Sequence, residues 1–167
     1  YYYAHLVEFS KILPKEGALF RNFLQKEVEV LNILILLRLK KAKLGKEIIK
    51  EYIIPGSKLS ESKIMALASF DDLEELSSVL EKTEYKDIIV NGIEEFKKNG
   101  SLITLETELY KHLLKQSILL LHQNPLTIDV ILGYMFAKDI EIRNLKIIVK
   151  GKQLGLSEQF IESQLVF

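Results

Sequence analysis

Ten residues near the start of this chain come back near its end. Lys26-Glu27-Val28-Glu29-Val30-Leu31-Asn32-Ile33-Leu34-Ile35 aligns with Lys138-Asp139-Ile140-Glu141-Ile142-Arg143-Asn144-Leu145-Lys146-Ile147 at an offset of 112 residues. The Lys, Glu, Asn and second Ile positions are identical and four further pairs are conservative. The likeness runs on through Arg38 with Lys150 and Lys40 with Lys152. After a slip of two residues, Leu44-Gly45 meets Leu154-Gly155. Such self-similarity means that the chain builds one kind of unit more than once. The identities recur every third residue, which on a helix draws a slowly drifting line along one side. Asn32 and Asn144 stand in that line although Asn is a mediocre helix former. A buried Asn needs hydrogen-bond partners, so each is expected to fasten its helix to a neighbouring segment. Glu29 and Glu141 repeat as well, and Lys26 and Lys138, three residues before them, are their expected partners.

The rest of the pattern is helical almost throughout, and the predicted fold class is all-α. Pro14, Pro55 and Pro125 are the three prolines, each where a segment should begin or end. The stretch from about Gly17 to Leu44 reads as one long helix. Its centre, Ile33 to Leu37, is apolar on all sides and is expected to be buried. Gly45 is placed to end or kink it. Ser69 with Asp72 resembles a capping box, and Leu73, Leu76 and Leu80 behind it share a face. Leu102, Leu105, Leu109 and Leu113 recur at helical spacing after a turn signal at Asn99-Gly100-Ser101. Asn124-Pro125 is a helix start, followed by a face of Ile128, Ile131 and Met135. Gly151 and Gly155 punctuate the end of that helix, and Ser157 caps a last short one. No sustained period-2 alternation predicts a strand.

Little in the residues points to chemistry. Lys plus Arg and Asp plus Glu number 23 each, so no basic excess suggests nucleic acid. Residues from Ser57 to Leu76 could imitate a helix-turn-helix, but the reading helix would carry Asp71, Asp72, Glu74 and Glu75, which phosphate repels. There is no Cys, hence no thiolate nucleophile or metal site. Gly45-Lys46 and Gly151-Lys152 lack the other parts of a phosphate loop. His5, His112 and His122 form no metal-binding spacing, and no serine-hydrolase elbow is present. No cofactor is expected. The longest apolar stretch, Val30 to Leu37, falls far short of the roughly 20 residues of a membrane span. The opening Tyr1-Tyr2-Tyr3 has neither the basic region of a signal peptide nor a Met. The basic cluster Arg38, Lys40, Lys41, Lys43 and Lys46 suits a helix end. Lys146, Lys150 and Lys152 answer it in the second copy, which makes these helix ends candidate contact surfaces.

The C-terminal run carries a more specific signal. Asn124-Pro125, Ile131-Leu132-Gly133-Tyr134, Lys138 through Ile148, Gly151-Lys152 and Gly155-Leu156 resemble the ending of the C subunit of archaeal ATPases and of its vacuolar-type equivalent, the d subunit. Asp139 stands where that family usually has Glu. Thr83-Glu84-Tyr85 and Leu105-Glu106-Thr107-Glu108-Leu109 resemble two of its central elements. The likeness takes in the whole chain and about the C-terminal half of a family member.

The resemblance implies helical domains of common origin in a three-fold, funnel-like arrangement. Residues 1–56 would be the end of one repeat domain and 57–167 a complete C-terminal one. It implies a non-catalytic component of the central stalk that links the proteolipid rotor ring to the central shaft and transmits torque. The protein would be peripheral on the cytoplasmic side, reaching the membrane only through the ring. Glu29, Asn32, Glu141, Asn144, Lys146 and Lys150 are then the candidate structural and interface residues. The alternative is a helical-repeat interaction scaffold unrelated to ATPases, which explains the repeat but not the C-terminal pattern. An unrecognised all-α enzyme would need a concave pocket with convergent polar groups.

Overall fold

The longest apolar run becomes the most buried helix. The computed structural model describes residues 2–13, 17–69, 75, 80, 83–123 and 128–167. Among them are eight helices and no strand: α1 (Tyr2–Ile12), α2 (Ala18–Lys41), α3 (Lys46–Tyr52), α4 (Glu61–Ser69), α5 (Lys86–Asn99), α6 (Ile103–Gln123), α7 (Ile128–Gln153) and α8 (Glu158–Ser163). The Asn124-Pro125 start, the side chain of Ile128, and Asp72, Leu73 and Leu76 lie outside what is described. Ser69 itself ends α4, where its hydroxyl donates back to the Met65 carbonyl.

The main core gathers on α2. Ile33, Leu34, Leu36 and Leu37 are almost wholly buried, together with Ile49 of α3, Ile64 and Leu67 of α4, Ile89 and Ile93 of α5, Leu102 just before α6, and Leu105, Leu109 and Leu113 along it. Each such side chain contributes roughly 1.5–3 kcal/mol by leaving water. Gly92 lets α5 approach α6 closely: a Cβ there would come within 2.5 Å of the Leu105 side chain. A smaller core of Val7, Phe20, Leu24 and Val28 joins α1 to α2, with Leu132 of α7 against it. Helix α7 packs along α6 and touches α2, and α8 folds back on α7.

The helix ends follow local chemistry with two departures from the sequence reading. Gly100 takes the left-handed conformation and ends α5, with Asn99 Oδ1 accepting the Ser101 N–H. Ser157 caps α8 by accepting the Phe160 N–H. Gly45, however, does not end α2. It is extended backbone that starts α3, and the left-handed position after α2 is held by Lys43 at φ 58°. Gly151 lies inside α7 rather than at its end, where it makes room for Ile161, whose Cγ1 a Cβ would meet at 2.5 Å. The left-handed stop after α7 is Gly155, at φ 68°.

These two stops share one hydrogen-bond pattern. Ala42, Lys43 and Leu44 donate to Arg38, Lys40 and Leu39, while Leu154, Gly155 and Leu156 donate to Lys150, Lys152 and Gly151. This is a Schellman ending in both places. It equates Lys43 with Gly155 and Gly45 with Ser157, so the offset of 112 continues unbroken. The two-residue slip expected from the Leu-Gly letters is absent.

Candidate interaction surfaces

Both repeated asparagines are bonded to the backbone of a returning segment. Asn32 Nδ2 donates to the Ile54 carbonyl and its Oδ1 accepts the Ile54 N–H, each at 2.8 Å. Asn144 does the same to Val166, at 2.7 and 3.0 Å. Ile54 and Val166 are themselves 112 residues apart, and each follows a short helix, α3 or α8, that has doubled back along its partner. A side-chain amide can offer one donor and one acceptor side by side. It therefore replaces the two partners that a strand would otherwise have to supply.

The repeated glutamates differ in surroundings. Lys138 and Glu141 form the expected ion pair on the exposed side of α7. Glu29 does not pair with Lys26 in this way. Its side chain is buried, raising its pKa, and the backbone N–H of Leu59 donates to it. Lys26 instead reaches Glu84 and Gln116. The reason is packing: α2 is covered by the residues that follow it, whereas this part of α7 faces outward.

The same contrast separates the basic helix ends. Arg38 makes a two-pronged pair with Glu106 of α6, at 2.8 and 2.6 Å, and Lys41 donates to the Gly100 carbonyl while lying over the Phe96 ring. Glu106 raises the Arg38 pKa further. These two cations of the first cluster are thus committed within the chain. In the second cluster Lys152 pairs with Glu158, and Lys146 and Lys150 are exposed.

Two polar sites fall outside the pattern that the sequence made visible. Asp129, wholly buried in the first turn of α7, accepts the Phe20 N–H at 2.9 Å. It satisfies one of the free donors at the N-terminus of α2. The partner lies 109 residues away in the chain, and no local signal reveals it. Arg21 holds the other end of α1, donating to the carbonyls of Ser10 and Leu13.

An apolar cleft of about 350 Å³ lies between α1, α2 and α7, walled by Leu6, Phe23, Leu132 and Phe136, with Glu27 and Asp139 at its edge. The Tyr3 hydroxyl donates to Glu27 at 2.9 Å. Burial lifts the Glu27 pKa to about 7, against the lowering effect of that hydrogen bond and with help from Asp139. The adjoining cleft brings Arg143 and Lys146 alongside these carboxylates, and Arg143 stacks over the Tyr110 ring at 3.8 Å. His112 lies edge-on to Tyr85 with Glu84 3.5 Å away, and its pKa is lowered, chiefly by burial. Among the described residues no group of three or more His, Cys, Asp or Glu could hold a metal, and no helix is long and apolar enough to cross a membrane.

The sequence pattern of the ATP synthase (C/AC39) subunit family matches residues 1–164. The chain belongs to this family. Membership sets aside the unrelated scaffold, and the all-helical fold agrees with the resemblance. Among curated members, the C subunit of the A-type ATP synthase of Methanosarcina mazei is 38% identical over 99% of this chain and 45% of its own length. The C subunit of the Methanocaldococcus jannaschii enzyme is 30% identical over 99% of the chain and 42% of its own length. That of Methanobrevibacter smithii is 31% identical over 92% of the chain and 40% of its own length. The chain thus spans under half the length of these C/AC39 relatives. No solved structure matches it.

Proposed function

We propose that the chain is a non-catalytic part of an A-type ATP synthase, a helical coupling element of its central stalk. In this reading it links the proteolipid rotor ring to the central shaft and transmits torque between ion flow and ATP turnover. It sits on the cytoplasmic side of the membrane, which it meets through the ring. The carrying observation is the family match over residues 1–164, joined to relatives named as the C subunit of A-type ATP synthases. The packing supports a mechanical role: close-packed helices deform little under load, and both repeated asparagines tie a long helix to its returning segment. Residues 1–56 form the end of one repeat domain and 57–167 a complete one. Glu29, Asn32 and Asn144 serve the structure; Glu141, Lys146 and Lys150, exposed on α7, serve an interface.

The test is purification of the tagged protein from membranes that hold an intact A-type ATP synthase, with mass spectrometry of what accompanies it. Recovery of ring proteolipid and shaft proteins together supports the coupling role. Recovery of neither, when the intact enzyme is isolated in parallel, overturns it.

A further inference from the structure

The turn from α2 into α3 and the turn from α7 into α8 share a backbone but not a charge. Beyond the common helix stop, Ile49 donates its N–H to the Gly45 carbonyl and Ile161 to that of Ser157, while Ile53 donates to Lys50 and Leu165 to Glu162. Ile49 and Ile161 are both buried. Yet residues 40–50 hold five lysines and one glutamate, and the equivalent 152–162 hold one lysine and two glutamates. Lys43, Lys46 and Lys50 stand where the second copy has Gly155, Glu158 and Glu162. One backbone carries either sign, so the fold does not require these lysines. Lys43 even works against it, for it sits at φ 58°, a conformation that favours the Gly of the other copy. A residue kept where the backbone disfavours it points to a function.

The three lysines lie along one groove. Two adjoining clefts of about 570 and 490 Å³ run between the end of α2, α3 and α4 and share Lys46 and Ser69; Lys43 lines the first and Lys50 the second. Arg38 and, in the other copy, Lys152 are paired with glutamates. Lys43, Lys46 and Lys50 are exposed and form no ion pair with a described carboxylate. Glu47 is the one carboxylate among the described residues of the groove walls. We infer that this groove binds a soluble oligophosphate, whose successive phosphate oxygens meet the ammonium groups of Lys43, Lys46 and Lys50. Lys is a mobile point charge suited to phosphate. An acidic peptide would need apolar anchors as well, and the walls offer only Leu44, Met65 and Ala68. The binding differs from that of a phosphate loop, which relies on backbone N–H groups; here side-chain charge holds the anion. The inference rests on the contrast between the repeats and not on the ATP synthase role, so the two fail separately.

The second copy supplies the variants for the test, because its residues already stand on the same backbone. Lys43→Gly and the pair Lys46→Glu with Lys50→Glu import them one position or two at a time, and Lys86→Glu, exposed on α5, serves as the control. Calorimetric titration with tripolyphosphate at low salt measures binding, and circular dichroism checks that each variant is folded. The parent and the control are expected to bind alike. Lys43→Gly is expected to bind about tenfold more weakly although it melts no lower than the parent, which separates loss of the site from damage to the fold. The double variant is expected to show no binding; should it not fold, Lys43→Gly decides alone. Absence of binding by the parent overturns the inference, as does an equal loss in Lys86→Glu, since the attraction is then one of general charge. Binding of hexaglutamate as tight as that of tripolyphosphate overturns the phosphate assignment in favour of an acidic segment. Retention on phosphatidylglycerol vesicles without binding of free tripolyphosphate overturns it in favour of a lipid surface.

Discussion

Asn32 and Ile54 exchange two hydrogen bonds of 2.8 Å, a side-chain amide closing a ring with the backbone of one residue 22 positions on. Replacing Asn32 with Ala leaves both backbone groups of Ile54 without these partners. A buried unsatisfied donor or acceptor costs about 1–3 kcal/mol, so Asn32→Ala is expected to lose about 2–3 kcal/mol in urea unfolding. Asn144→Ala, at a less buried site, is expected to lose less. Asn32→Asp separates the roles: it keeps the acceptor but sets a second oxygen against the Ile54 carbonyl, and should be at least as damaging as Ala. A variant as stable as the parent would show that the clamp carries no net free energy.

The repeat and the helical class were legible because both are local patterns: a 3.6-residue period, and polar letters recurring inside apolar ones. The letters and the structure give different registers at one place, for a physical reason. A left-handed stop is expected at Gly, so by letters alone Leu44-Gly45 answers Leu154-Gly155. In the structure Lys43 does the work of Gly155, and Gly45 does the work of Ser157. Lys26 is the partner a sequence offers Glu29, because helix neighbours are visible in it, whereas the Leu59 N–H reaches Glu29 only through packing. Asp129 and the exposure of Ile142, Leu145 and Val149 were hidden for the same reason: contacts across 109 residues, or their absence on one face, leave no periodic trace.

The two helix stops give a matched pair of substitutions. Lys43 sits at φ 58° and Gly155 at φ 68°, a region that costs a non-glycine residue about 1 kcal/mol. Lys43→Gly should therefore stabilise the fold by about 0.5–1 kcal/mol, less whatever flexibility Gly adds to the unfolded chain. Gly155→Ala should destabilise it by a similar amount. A Cβ at Gly155 would meet nothing within 4 Å, so the effect is one of backbone alone. Thermal unfolding of both variants checks the prediction; effects of the same sign would contradict it.

Asp129 joins the first turn of α7 to the N-terminus of α2 through the Phe20 N–H. A hydrogen bond to a charged group is worth about 1.5–3 kcal/mol. Asp129→Ala is expected to lose about that much, while Asp129→Asn, which retains an acceptor oxygen, should recover more than half of it. Hydrogen exchange adds a local readout: the Phe20 amide should lose protection in the Ala variant and keep most of it in the Asn variant. Equal loss in both would mean that Asp129 acts through its charge and not through this bond.

Glu27 makes stability depend on pH. Its pKa rises from 4.5 to about 7, first through burial and then through Asp139, while the Tyr3 hydroxyl works the other way. Arg143 and Lys146 line the same cleft. Because the folded state holds this proton to higher pH than the unfolded chain, stability rises as pH falls. The contribution is fully present below about pH 4.5 and is lost as pH climbs through about 7. Glu27→Gln removes the charge but keeps an oxygen for the Tyr3 hydroxyl. The variant should thus match the parent near pH 4.5 and exceed it by about 1–2 kcal/mol at about pH 8, a range below the full equivalent of the shift because the side chain is only partly buried. Urea unfolding at a series of pH values reads this directly. A difference that stays constant across that series would place the ionisation of Glu27 outside the stability of the fold. A difference that opens between about pH 4.5 and 7 would assign it to this one carboxyl, whose burial under α1 is what resists the loss of its proton.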